Sequence, residues 1–342
     1  MELPSAFARY RIELEKYLRS ALPESSPALL YRMMRYHLGW EDEQGRPLAE
    51  GAGKALRPTL CLWACQALGG DWRTALPAAA ALELVHNFSL VHDDIQDGDR
   101  ERRHRPTVWS LWGQPQAINA GDSLLILGQL VMLRLEERGV APAKVMEACR
   151  LLDKACLTMI EGQCLDIGFE DQQEVSVEAY LDMIARKTGA LLGASLHLGA
   201  LVATDDEPQV GRFARCGHLL GLAFQIRDDI LGIWGAADVT GKPVAADIRR
   251  RKKSLPVVYA MAMAQAEERE QLLRVYSQGT PRDDEVSVVL QLLDGHRAYE
   301  YCQQMAQERV EQALAELAPA DIEPEARREL EAMAKFLLER EF

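Results

Sequence analysis

The stretch 78–97, AAAALELVHNFSLVHDDIQD, constrains the fold more than any other. It contains no Gly or Pro. Leu84, Phe88, Val91 and Ile95 recur at spacings of four, three and four, one apolar stripe of a helix. His86, Leu90, Asp93 and Asp97 repeat those spacings on a second stripe, so one face carries an imidazole and, about two turns on, two carboxylates. Similar periodicity predicts helices over about 5–20, 27–38, 53–68, 117–138, 142–168, 176–203, 208–232, 255–275, 284–316 (with a break) and 324–341, beside 75–97 itself. Breakers such as GGDW, DDEP and GTPRDD separate them. No pair of alternating β-branched runs joined by a hairpin turn is present. The chain therefore reads as all-α, one large helical bundle.

Length permits two domains, and 48% hydrophobic residues in 342 suffice for a large core. No linker, repeat or low-complexity tract divides the chain, so a single domain is expected over 1–342. A net charge of −13 argues against a general nucleic-acid binder. An anionic substrate would need local cations or metal ions. The seven cysteines include no CxxC pair and fall mostly in apolar helical patterns, as expected of reduced thiols in a cytoplasmic protein. The N-terminus shows no signal-peptide pattern. TGALLGASLHLGALVAT, 188–204, is shorter than a spanning helix and holds three glycines, so a buried helix and no transmembrane segment are expected.

Asp93 and Asp97 lie one turn apart, and two carboxylates at that distance can ligate a hard cation such as Mg²⁺. They end their helix, where the macrodipole disfavours anions and welcomes cations. FQIRDDILGIW, 224–234, ends another helix, with Gln225 preceding Asp228 and Asp229 by three and four residues. Gly211, Gly217 and Gly221 upstream allow either close helix contact or room beside a cavity. Cations accompany both pairs: Lys54 and Arg57, Arg102 and Arg103, Lys187 beside Thr188, and Lys242 and Lys252 in the long loop 235–256. Singly each is a surface charge. Together with two acidic helix ends they suggest two diphosphate sites, one reached through Mg²⁺ and one gripped directly.

GAGKALRP, HNFSLVHDDIQDGDRERRHRPT, GQCLD, RKTGALLG, FQIRDDILG and GKPVAADIRRRKKSLP occur in the order found in trans-isoprenyl diphosphate synthases, which the chain resembles over about 53–256. The resemblance implies an all-α bundle around a deep central cavity, usually a homodimer. It implies an enzyme joining isopentenyl diphosphate to an allylic diphosphate: the allylic C–O bond ionises, the isopentenyl double bond attacks, a proton leaves and diphosphate is released. By the same resemblance Asp93 and Asp97 would hold Mg²⁺, with Asp94 in support, and Asp228 would hold the remaining Mg²⁺. Lys54, Arg57, His86 and Arg103 would bind isopentenyl diphosphate. Arg102, Lys187, Thr188, Gln225, Lys242 and Lys252 would serve the allylic diphosphate.

Two departures stand out. The second motif commonly ends in an acid, but position 232 is Gly. Ala55 stands where an arginine is common. A class I terpene cyclase is a rival reading that needs no isopentenyl diphosphate site. A non-catalytic regulatory subunit is another, but such chains often lose acids of the first motif, and Asp93, Asp94 and Asp97 are all present. Product length is expected to depend on Phe88 and Ser89. Helix geometry puts Ser89 near the Asp93 stripe and Phe88 to one side, as ordinary core. The resemblance makes a bulky residue at Phe88 a limit to elongation, and it implies geranylgeranyl diphosphate first and farnesyl diphosphate second.

Overall fold

The computed structural model describes residues 4–23, 28–48, 53, 55–235, 244–277 and 279–340. The helices are α1 (Ser5–Ala21), α2 (Leu29–His37), α3 (Leu56–Ala67), α4 (Leu76–Gln96), α5 (Val108–Trp112), α6 (Gln114–Leu133), α7 (Pro142–Glu170), α8 (Val177–Ile184), α9 (Ala190–Ala203), α10 (Glu207–Trp234), α11 (Ala246–Arg249), α12 (Leu255–Met263), α13 (Ala266–Ser277), α14 (Asp283–Gly295), α15 (Ala298–Leu317) and α16 (Pro324–Glu339). The starts follow local chemistry. Pro occupies the first turn of α4, α6, α7, α10, α12 and α16, where its missing N–H costs nothing. Asp206 and Ser176 cap α10 and α8, accepting from the Gln209 and Ala179 amides at 3.1 Å.

The all-α expectation holds. α4 is the buried axis: Ala78 through Leu82, Leu84 and Val85 are all sealed from solvent. α3, α6 and α9 pack around it, and α10 packs between α9 and α15. Gly217 and Gly221 of α10 serve close contact rather than a cavity. A Cβ at Gly217 would lie 2.6 Å from the Leu192 carbonyl oxygen, and one at Gly221 2.7 Å from the Gly189 Cα.

Several boundaries differ from expectation. α3 begins at 56 because Gly53 and Ala55 have φ of 104° and 49°, left-handed conformations that cannot begin a helix. The run 255–275 breaks after Met263. A short ribbon, β1 (Glu101–Arg102) with β2 (Arg105–Pro106), follows α4. Arg103 and His104 at its tip both have positive φ, as a two-residue hairpin turn of the primed type requires. Neither is the Gly or Asn that normally signals such a turn, so the sequence hid it. Cys61, Cys65, Cys156, Cys216 and Cys302 are buried and unpaired, whereas Cys164 is exposed.

Two helical stretches are long and apolar enough to cross a membrane by length and composition, Trp72–Gln96 and Gln114–Arg138. The first is mostly core, with 78% of its most apolar window buried, against 39% for the second. The exposed side of the second carries Ile118, Ile126, Leu130 and Leu133, a stripe at helical spacing. On α7, Met146, Leu157, Ile160 and Ile167 are exposed as well.

Candidate active site

The acids at the end of α4 divide into two kinds. Asp94 turns inward, 1% exposed, and accepts a 2.7 Å bond from Arg102 Nε. Burial still raises its pKa to about 6. Asp99 pairs with Arg250 at 2.7 Å. Asp93 and Asp97 form no side-chain hydrogen bond or ion pair among the described residues. Burial raises the pKa of each, their mutual proximity or that of Asp99 adds to it, and Lys187 opposes it. Carboxylates left unpaired beside one another are the oxygen donor set a hard divalent cation takes.

Lys187 faces them from a π-helical turn over Ala185–Gly189, which joins α8 to α9. Such turns widen a helix by one residue and often mark functional sites. This one presses its backbone on α7, where a Cβ at Gly162 would lie 2.2 Å from the Lys187 nitrogen. Lys187 Nζ donates to Asp166 at 2.6 Å. Thr188, buried, donates to Gln225 at 2.7 Å, and Gln225 donates to Asp229 at 3.2 Å. Asp229 also accepts from the Tyr180 hydroxyl at 2.5 Å and the Leu255 amide at 3.2 Å, and burial lifts its pKa to about 7. Thr188, Gln225 and Asp229 thus lock α8, α10 and α12 together. Asp228, half-buried, pairs with Arg340, whose guanidinium also donates to the Phe224 carbonyl oxygen and lies 3.9 Å over the Phe224 ring.

A basic pocket lies beside these acids. Arg57 and Arg103 form no hydrogen bond or ion pair among the described residues, and Arg57 Nε is buried without a partner. Burial lowers the Arg57 pKa to about 10, opposed by Glu83 and Asp228. His86 is pushed well below the usual imidazole range by burial, then by Arg57, Arg103 and Arg102. His37, pushed down to about 3 by burial and by Arg102, Arg103 and Arg105, has a buried Nε2 without a partner. The anion inside this pocket is Glu83, 8% exposed, bonded to Asn87 Nδ2 at 3.1 Å. Burial, the largest influence, raises the Glu83 pKa, and Arg57 and Arg103 oppose it. Cations held this far from water without enough counter-charge favour an anionic ligand.

The residues predicted for the site therefore sort by position. Arg57, His86 and Arg103 come together, as do Asp93, Asp97 and Lys187. Arg102 is tied to Asp94; removing it would strand a buried carboxylate, a loss of about 3–5 kcal/mol, so its anchoring role comes before any ligand contact. Lys54 and Lys242 lie outside the described residues. Lys252 is half-buried; burial alone would lower its pKa, but Asp247, Asp166, Asp229 and Asp228 outweigh that and raise it. From 244 on, the long loop packs against its neighbours. Ala245 donates to the Ile233 carbonyl oxygen at 3.1 Å, and Lys253 Nζ to that of Phe169 at 2.6 Å. Phe88, 5% exposed, packs edge-on against His92 at 5.0 Å, and Ser89 donates to the His86 carbonyl oxygen.

Sequence reasoning passed over His37, Glu83, Asp166 and Arg340. Asp166 closes GQCLD, and Glu83 is an acid within an apolar run three residues before His86, so both left a signal. His37 and Arg340 reach the site from distant helix ends and left none. A groove of about 560 Å³ between α10 and α15 is lined by Arg215, His218 and Glu316 and by none of the predicted site residues.

The polyprenyl synthetase family matches residues 41–293. A geranylgeranyl diphosphate synthase of Mycobacterium tuberculosis is 41% identical over 338 residues, 97% of this chain and 93% of that protein. A (2E,6E)-farnesyl diphosphate synthase of Mycobacterium bovis is 39% identical over 312 residues, 90% of this chain and 86% of that protein. The solved polyprenyl synthetase of Streptomyces coelicolor A3(2) superposes with a TM-score of 0.90 at 37% identity, covering 97% of this chain and 98% of that one. On this evidence the chain belongs to the polyprenyl synthetase family, the trans-isoprenyl diphosphate synthases, and is a trans-prenyltransferase.

Proposed function

We propose that this chain joins isopentenyl diphosphate to an allylic diphosphate and makes a short all-trans prenyl diphosphate. The observation that carries the reading is unpaired charge of both signs in one site: Asp93 and Asp97 on one side, Arg57 and Arg103 on the other. Asp93 and Asp97 would hold Mg²⁺, with Asp228 as the third ligand residue once it leaves Arg340. Bound there, Mg²⁺ would neutralise the charge that builds on the departing diphosphate. Lys187 and Lys252 add fixed positive charge on the same side. Arg57, Arg103 and His86 would grip isopentenyl diphosphate directly, Arg57 through a forked, permanently charged group. The intact first motif and this second pocket favour a synthase over a cyclase or a regulatory subunit.

Incubating the protein with Mg²⁺, isopentenyl diphosphate and allylic diphosphates of increasing length tests this. A single family of lengthened prenyl diphosphates is expected; cyclised hydrocarbon or no turnover would overturn it. For the product, similarity supports farnesyl diphosphate at least as well as geranylgeranyl diphosphate, the first expectation. The braced ring of Phe88 also favours the shorter chain as the main reading, with geranylgeranyl diphosphate second. Phe88→Ala is expected to shift products to longer chains, read by chromatography of the dephosphorylated alcohols. An unchanged distribution would place the floor elsewhere.

The apolar stripes of α6 and α7 would meet a second copy of the chain, giving a cytoplasmic homodimer and not a membrane span. They expose Leu130 at 55% and Leu157 at 59%, large apolar side chains of the kind that interfaces cover. Leu130→Arg with Leu157→Arg is expected to halve the mass measured by light scattering. Retention of the wild-type mass would rule this face out.

A further inference from the structure

Position 232 lacks the acid that would complete the second motif, yet the space is not empty. A Cβ built on Gly232 would lie 2.1 Å from Asp247 Oδ2 and 2.5 Å from its Cγ. The carboxylate of Asp247 sits where a side chain at 232 would begin. Position 232 is one turn beyond Asp228 and shares its side of α10. The carboxylate therefore comes to the acidic side of α10 from a different element, the short helix α11.

The backbone that brings it there is firmly held. Ala245, at φ 57°, turns the chain into α11 and ties it to the end of α10. Ala245, Ala246 and Ile248 are 2%, 6% and 0% exposed. Asp247 is itself 9% exposed, and its side chain forms no hydrogen bond or ion pair among the described residues. An enclosed carboxylate that makes no hydrogen bond within the fold keeps its oxygens free for a ligand. Lys252, which feels Asp247 more strongly than Asp166, Asp229 or Asp228, marks the direction in which it faces. Asp229 is already committed to Tyr180, Gln225 and Leu255.

We infer that Asp247 replaces the missing third acid of the second motif, so that cation binding on the α10 side draws on Asp228 and Asp247 instead of on α10 alone. This rests on the diphosphate and Mg²⁺ reading proposed above and extends it to a residue outside the motif. The glycine at 232 leaves that space to the carboxylate, and a side chain there would displace it.

Calorimetric titration of inorganic diphosphate into the full chain, with and without Mg²⁺, tests the assignment. Asp247→Asn keeps the size of the side chain and is expected to weaken Mg²⁺-dependent diphosphate binding by about tenfold or more. Binding without Mg²⁺ should not weaken, because the variant removes a negative charge from beside an anion. Gly232→Asp alone should also weaken it, through collision. Gly232→Asp combined with Asp247→Gly should recover most of the loss, because one acid again fills the shared space. Asp247→Asn binding like the wild type would overturn the assignment, and so would a folded double variant no better than Asp247→Gly alone. If the double variant does not fold, the Asp247→Asn titration decides. Wild-type protein that binds diphosphate without regard to Mg²⁺ would remove the underlying reading as well, whereas Mg²⁺-dependent binding indifferent to Asp247 removes this assignment alone.

Discussion

Alanine at Asp93 or at Asp97 is expected to lower turnover by about a hundredfold to a thousandfold or more, as when a group that stabilises transition-state charge is removed. The fold should survive. Burial raises both pKa values above the ordinary carboxylate range, so in the free protein each ionised group is held at a cost. A carboxyl group whose folded pKa is raised favours folding below its unfolded pKa, and that advantage is lost as pH rises through the folded value. Asp93→Ala should therefore melt no lower than wild type at neutral pH and should show a shallower loss of thermal midpoint from acid to neutral pH. Near-normal turnover would sink the metal assignment. A collapse in melting temperature would instead make Asp93 structural. A site tuned for its ligand at the expense of the empty protein predicts the first pattern.

Arg57→Ala should raise the Michaelis constant for isopentenyl diphosphate much more than that for the allylic substrate. A charge-assisted bond of this kind contributes about 1.5–3 kcal/mol, or roughly ten- to a hundredfold in affinity. Arg57 Nε is buried without a partner, and the nearest counter-charge, Glu83, is already bonded to Asn87. Arg57→Lys should recover the charge but not the fork, and so only part of the loss. Initial rates with each substrate varied in turn provide the measurement. Equal changes in both constants would dissolve the division between the two diphosphate sites.

How far the sequence revealed this arrangement depends on how local each signal was. The apolar repeat of 78–97 located α4 and its acidic end, because periodicity and burial are one phenomenon seen from two sides. The same spacing could not say which acids stay free. Asp94 and Asp99 differ from Asp93 and Asp97 only in the arginines that meet them, and Arg250 arrives from far along the chain. Thr188 and Gln225, expected to face a ligand, also bond each other, since only the packing of α10 against the π-helical turn brings them within reach. The hairpin tip at Arg103 and His104 was invisible because its backbone conformation is imposed by its surroundings and not by residue type. Asp247 illustrates the general case, as its position relative to Gly232 is a property of two elements together.

The widened turn at Ala185–Gly189 sets two faces of one rod out of phase. One additional residue in a helical turn rotates everything beyond it by about 100°. Upstream, Tyr180 must point at Asp229, and downstream Leu191 and Leu192 must point into the core. A regular helix through 177–203 would satisfy one of these orientations and turn the other away. Deleting a single residue between 185 and 189 should thus act like a gear slipped by one tooth: the rod stays helical, but either the Asp229 latch or the α9 core loses its alignment.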